Sequence, residues 1–362
     1  MALPASGGNP PTNPISARDI ANEFGYTNGS ETRLGSYRTT NGQGNFPVSF
    51  GALQFNSIDA QTGGSVPTSG QIKFSDFYST KLQTIVNFYG SGKGGNRLVA
   101  KDRYNANSSG DVNVIGNYRT RPNNSSGTKV HIHVNQQIGS EKTRVEHCAL
   151  RTGSWDSSTT LQVDVGGSGR IGGAGGDGGR GSDSSNGNST FGRGGDGTSG
   201  LGVQYNPTTV NVASGGVITA GFGGGGGGGG AYDTDKEGAR TASGGGGGGG
   251  AGIPAGAGGA AGFNAGVNGG AGSAGSVSEG GTGGNGGNND GEAVAAAGGT
   301  GGEASDSADS GVTGQGGEGS TYSPGPAGSP GAAIRRNTGF TVNVNIASSG
   351  SVNGVQNATT VL

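Results

Sequence analysis

The sequence predicts a mostly β protein carrying a polyglycine-II-type helix bundle, laid out as a small N-terminal helical module, a β-sandwich or prism domain and a glycine-rich tip domain. Three observations predict it. Of 362 residues 88 are glycine, and most of them fall between Gly166 and Gly331. Ahead of that field, residues 82–165 alternate apolar and polar side chains as half-buried strands do. A motif of Val, Asp or Asn, Val or Ile, a few small residues and then a β-branched residue occurs before, inside and after the field, starting at Val163, Val210 and Val344. The boundaries that follow are 1–81, 82–165, 166–332 and a C-terminal β segment, 333–362, that returns to the β domain.

The N-terminal module rests on two similar stretches, PISARDIANEFG from Pro14 and GQIKFSDFYSTK from Gly70. Ser16 is placed to cap a short helix with Asp19 as the capping-box acid, and Ser75 to start a second turn. Ile20, Phe24, Phe74 and Phe77 are the expected minor core. The segments TIVNFYG, NRLVAKD, DVNVIGNY, KVHIHVN, RVEHCAL and TTLQVDV then read as short strands separated by turn signals, which predicts antiparallel pairing with Trp155 and Tyr118 filling the interior.

Glycine loses about 1–2 kcal/mol of backbone entropy per residue on ordering and buries no side chain in return, so such a field is disordered by default. The ordered alternative is a set of extended helices with three residues per turn, whose outward N–H and C=O groups pair between neighbours. Polar inserts of similar spacing interrupt the glycine runs and read as chain reversals. A collagen-like reading of GPAGSPGAA from Gly325 is not sustained elsewhere in the chain. The insert Ala231 to Ser243 separates two nearly pure glycine tracts, so Tyr232, Asp233, Asp235, Lys236, Glu237 and Arg240 are candidate binding residues projecting from a stiff support. Asn289, Asp290 and Glu292 in one later insert, and Glu303 and Asp306 in another, are further candidates. A merely solubilising turn is the competing reading of these inserts.

Composition excludes several classes. A net charge of −2 with no Lys/Arg block argues against nucleic acid or an acidic membrane as partner. The single cysteine, Cys148, leaves no intramolecular disulfide framework and fits assembly in a reducing cytoplasm. The opening MALPASGGNPPTNP lacks the features of a signal peptide, and no apolar run is long enough to span a bilayer. YGSGKGG has Gly94 where a P-loop needs Ser or Thr, and DTDKEG from Asp233 lacks the acid that closes a calcium loop. No catalytic constellation can be assembled from three histidines and scattered acids, so no enzyme activity is expected. His131 and His133 share one face of a strand, which is ordinarily a surface or core arrangement. In a homotrimer the same pair would offer six nitrogens to an octahedral iron-type ion on the axis; no other cofactor is expected.

PISARDI and QIKFSDFY resemble the amino-terminal module of tailed-phage structural proteins. IGSEKTRVEHCALRTGSW, TTLQVDVGGSGRIGGAGGDGG, the interrupted polyglycine and the closing TVNVNIASSGSV are similar to glycine-rich phage tail-fibre and receptor-binding proteins. The resemblance implies an N-terminal attachment module docking on other tail or baseplate proteins, and a layered polyglycine domain whose loops contact a host glycan or outer-membrane protein. It also implies a homotrimer, made in the host cytoplasm and carried in the virion at the tail fibre or tail tip. A purely structural glycine-rich virion or matrix protein is the alternative reading.

Overall fold

The computed structural model describes residues 14–23, 49–50, 53–54, 58–60, 70–78, 80–82, 84–88, 104–105, 113–115, 129–142, 144–155, 160–183, 192–235, 238–263, 267–289, 293–304, 315–316 and 323–361. Helix α1 (Ala17–Glu23) opens on the expected capping box. Ser16 Oγ accepts from the Asp19 amide at 3.2 Å, and Asp19 Oδ2 accepts from the Ser16 amide at 2.8 Å. The second turn, a 3-10 helix over Phe74–Phe77, starts at Lys73 rather than at Ser75. Asp76 Oδ2 takes the Lys73 amide at 2.8 Å, so the acid and not the serine fixes the start. Ile20 and Phe77 are buried, whereas Phe74 is 43% exposed and is not part of the core. Phe24 and Tyr118 lie outside the described residues.

Four short strands follow in antiparallel pairs, β1 (Ser49–Phe50) with β2 (Leu53–Gln54) and β3 (Ile58–Ala60) with β4 (Thr80–Leu82). Beyond them the expected sandwich or prism takes the form of three sheets, and the pairing within them is parallel where antiparallel pairing was expected. Strands β5 (Thr84–Phe88), β6 (Tyr104–Asn105), β7 (Asn113–Ile115), β8 (Lys129–Val134), β9 (Gln137–Ile138), β10 (Cys148–Arg151), β11 (Thr160–Val165) and β12 (Arg170–Gly172) belong to three sheets. Strands β13 (Ser199–Val203), β14 (Thr208–Val212) and β15 (Val217–Thr219) extend the same three. So do β21 (Ile334–Arg336), β22 (Val342–Ile346), β23 (Ser351–Asn353) and β24 (Ala358–Thr359). The sheet orders are β22-β14-β11-β8-β5-β7, β23-β15-β12-β9 and β24-β21-β13-β10-β6.

From β8 onward the strands of these three sheets follow one another in strict rotation, so that within this series no strand pairs with its immediate successor and each pairs parallel with its equivalent one coil later. Only β7, antiparallel on β5, breaks the parallel pattern of these sheets. Alternation with a period of two identifies a strand but carries no information on its direction, which is why the sequence reading missed a three-sided solenoid.

Register explains the recurring motif. Ile132, Val163, Val210 and Val344 stack in one column, and Ile138, Ile171, Ile218 and Val352 in another. Leu150, Leu201 and Ile334 form the third column. Between the first and second sheets the same turn recurs, closed by Gly169 N–H to Gly166, Gly216 N–H to Ala213 and Gly350 N–H to Ala347. These columns, with Trp155, make the main core. Outside the core, His133, Asp164, Asn211 and Asn345 align across four strands. Asp164 Oδ1 accepts from Gln162 at 2.7 Å and Asn211 at 2.8 Å, and Asn211 accepts from Asn345 at 2.9 Å.

The glycine field leaves this solenoid at one corner. Both excursions, residues 173–198 and 220–333, depart after a strand of the second sheet and return to a strand of the third. Within them the chain runs in extended segments joined laterally by backbone hydrogen bonds. Segment 244–251 shows the logic. Its amides donate to 173–182 (Gly247 to Gly179, 2.8 Å), to 295–302 (Gly248 to Gly299, 2.9 Å) and to 268–276 (Gly249 to Ser273, 3.0 Å). Its carbonyls accept from 254–262 (Gly259 to Gly247, 2.7 Å), 221–230 (Gly225 to Gly248, 2.8 Å) and 280–287 (Gly284 to Gly246, 2.7 Å). Six neighbours therefore surround one segment, and three successive residues address three different directions.

The sequence follows from that packing. Segment 244–251 is glycine except for its last residue, and a Cβ built at Gly248 would collide with the carbonyl oxygen of Gly281. Segments at the margin instead carry side chains, among them rows that recur at every third position on the outward side. Asp177, Arg180 and Asp183 form one such row, Ala257, Ala260 and Phe263 a second, and Asn268, Ala271, Ala274 and Val277 a third. Carboxylates in these rows bind amides of the neighbouring segment. Asp177 takes Ala257 N–H at 2.7 Å, Asp183 takes Phe263 N–H at 2.6 Å and Asp196 takes Ser329 N–H at 2.7 Å.

Candidate functional site

Each segment reverses direction at its end, so the connections alternate between the solenoid side and the outer side. Residues 252–254 turn at the base, where Ser140 N–H donates to Ile253 O at 2.9 Å and Ile253 N–H to Gly173 O at 2.7 Å. The turn at 277–279 is also at the base, closed by Ser276 N–H to Glu279 O at 2.7 Å. The outer end is made by strands β16 (Ala231–Asp235), β17 (Gly238–Ala242), β18 (Asn288–Asn289), β19 (Ala293–Val294) and β20 (Gln315–Gly316).

Strands β16 and β17 form an antiparallel hairpin that pairs Tyr232 with Thr241, Asp233 with Arg240 and Asp235 with Gly238. Gly238 has φ +129°, a conformation that favours glycine at the close of the turn. Strand β19 pairs with β18 and β20, and a cluster of Ala231, Ala242, Ala293 and Ala295 packs the two sheets together. Asn289 Nδ2 donates to Thr241 O at 3.3 Å, bridging them. Val267 is held against the hairpin by its amide to Thr241 O and by its carbonyl to Ser243 N–H.

The structure brings Tyr232, Asp233, Arg240 and Asn289 together at this outer end. Asp233 is only 4% exposed, because alternation places it on the same face as the buried Ala231; it does not project as expected. Tyr232, Arg240 and Asn289 are half-buried. Glu303 is at the opposite end, where its Oε2 accepts from the Gly280 amide at 3.3 Å, and so does not join the group. The side chain of Asp235, and Lys236, Glu237, Asp290, Glu292 and Asp306, lie outside the described residues.

His133 is fully buried with Nε2 3.7 Å from Asp164 Oδ2, and the side chain of His131 lies outside the described residues. Among the described residues there is no cluster of three or more His, Cys, Asp or Glu able to hold a metal ion.

Two ion pairs on the marginal segments join residues three apart. Arg180 reaches Asp183 at 2.7 Å, and Arg193 binds both oxygens of Asp196, at 2.6 and 3.1 Å. The Arg193 guanidinium, and after it the Ser329 amide, hold the Asp196 carboxyl below its ordinary value of 3.8 against a partial cost of burial.

Sequence reasoning missed Phe263, which is 70% exposed at the outer end of segment 254–262. The signal was available as a phenylalanine in a row whose other outward members are alanines.

Residues 98–356 match the family described as phage tail fibre adhesin Gp38. The chain belongs to this family. Membership makes the protein a tail-fibre adhesin and places it in the tail fibre of the virion. Among solved structures, the chain is similar to the gp37–gp38 adhesin tip complex of the bacteriophage S16 long tail fibre. That similarity spans 93% of this chain and 98% of the other at 17% identity, with a TM-score of 0.31. No curated protein matches the chain.

Proposed function

We propose that this adhesin binds a host cell-surface receptor through the connections at its outer end, with the N-terminal part and solenoid as the base that docks on other tail-fibre chains. The observation that carries the reading is segment 244–251, whose six hydrogen-bonded neighbours make the field behind the β16–β17 hairpin a firm support instead of a tether. In this reading the segments are polyglycine-II-type helices, in accord with the outward side chain at every third residue. A firm support lowers the ordering cost of binding, so residues such as Tyr232, Arg240 and Asn289 meet the receptor already positioned.

The experiment is an exchange of residues 231–242 for an unrelated hairpin of equal length. Adsorption of the virion to host cells is expected to fall at least tenfold while the thermal melt of the protein is unchanged. Full adsorption after all the outer connections have been exchanged would instead favour a purely structural role.

A further inference from the structure

Residues 358–361 finish the third sheet with a fold-back. Strand β24 meets β21 over only two pairs, Ala358 with Arg335 and Thr359 with Arg336. Thr360 then has φ +71°, and it is the one non-glycine residue with positive φ among the described residues. A branched side chain makes that conformation costly, because Cβ and its substituents crowd the backbone.

The residue after it offsets the cost. Thr359 and Thr360 are exposed, yet Val361 is only 8% exposed. In the third sheet Leu201 faces the core, so its neighbour Gly202 faces outward, between Arg151 and Arg335. A Cβ built at Gly202 would lie 2.7 Å from Val361 Cγ1 and 2.9 Å from Cys148 Sγ. The valine therefore fills the slot that the missing side chain leaves, beside the thiol of Cys148, which is fully buried. Arg335 adds a tie. Its Nη1 donates to Thr359 O at 2.8 Å, while its Nε is held by Ser199 Oγ at 2.7 Å and Val145 O at 3.1 Å.

We propose that residues 359–361 are a strap that opens and closes over the slot at Gly202. In the closed state Val361 is seated and Thr360 is strained. In the open state Thr360 relaxes to negative φ, Val361 leaves, and solvent reaches the slot and the Cys148 thiol. Burying one valine and holding one threonine in left-handed backbone are opposing terms of the same order, so a single substitution can shift the balance. Strain of this kind persists only where surrounding contacts hold it, and here those contacts are one side chain and one hydrogen bond from Arg335.

The test uses the full-length protein, whose single cysteine makes alkylation by iodoacetamide a direct reading of the slot. Wild type is expected to label more slowly than the chain unfolded in guanidinium, and faster than its global unfolding allows. Thr360→Gly, which adopts the left-handed conformation without strain, is expected to label roughly threefold more slowly than wild type. Val361→Ala, which withdraws two methyl groups from the slot, is expected to label roughly tenfold faster. Val355→Ala, at a position 58% exposed, is expected to keep the wild-type rate, and all three variants the wild-type thermal melt. A wild-type rate in Val361→Ala would overturn the strap, and so would labelling of Thr360→Gly as fast as wild type or faster. Labelling of every variant only at the rate of global unfolding would overturn it as well, because the sheet itself would then seal the thiol.

Discussion

The amide of Gly248 donates to the carbonyl oxygen of Gly299 at 2.9 Å, while the Gly248 carbonyl accepts from the Gly225 amide at 2.8 Å. One residue with no side chain thus ties three segments of distant sequence. Adding a methyl group there forces it into the Gly281 carbonyl, and no flexible side chain is available to give way. Gly248→Ala is expected to destabilise the glycine-rich region by about 3 kcal/mol. At Gly270, on the margin, an added Cβ meets nothing nearer than 3.4 Å, so Gly270→Ala should be close to neutral. Thermal melts of the two variants, with limited proteolysis, check the contrast; equal behaviour would count against close packing around 244–251.

Hydrogen exchange should follow the same geometry. Amides of Gly244 to Gly250 all bond to neighbouring segments and all seven residues are buried. They are expected to exchange more slowly than those of 268–276, where most residues are exposed. Mass-spectrometric exchange on the intact protein measures it, and rapid exchange throughout 244–250 would remove the support on which the proposed function rests.

Acid should loosen one margin of the bundle. The folded pKa of Asp196 lies below its unfolded value near 3.8, so its contribution is fully present above that value and is lost as pH falls through the lower, folded pKa. The pair with Arg193 is partly solvated, so the effect is about 1 kcal/mol or less. Asp196→Asn should remove this acid-dependent step from melts taken between about pH 5 and pH 2 while leaving the rest of the profile in place.

The ladder on the outside of the solenoid predicts a larger loss. Asp164 is 1% exposed and accepts from the half-buried Gln162 and Asn211, so Asp164→Ala leaves both donors without this acceptor. A cost of about 3 kcal/mol is expected in denaturant unfolding. Asn345→Ala, at the exposed end of the ladder, should cost well under 1 kcal/mol.

The sequence announced strands, the returning motif at Val163, Val210 and Val344, and a glycine field broken by reversals, because side-chain periodicity and composition report these directly. Parallel direction was hidden, since Ile132 and Val163 would alternate in the same way in either orientation. The outward row Asp177, Arg180 and Asp183 was also in plain view, but a three-residue period becomes visible only once the all-glycine segments are known to be interior. Glu303 was grouped with the outer residues because the short turns at 252–254 and 277–279 carry little signal. Without them the alternation of ends cannot be followed.

The rows of outward side chains give the bundle something like a reading frame. Insertion of three residues into a marginal segment would lengthen it by about 9 Å and return every following side chain to solvent. Insertion of one would bring Ala271 and Ala274 to the directions of Gly272 and Gly275, where a Cβ meets the carbonyl oxygens of Gly247 and Gly250, and insertion of two would do the same to Ser273. Change in this region is therefore confined to whole triplets along the segments, whereas the outer connections, which lie beyond the last turn, can vary by any number of residues. An adhesin built this way can alter its outer connections without altering how it stands.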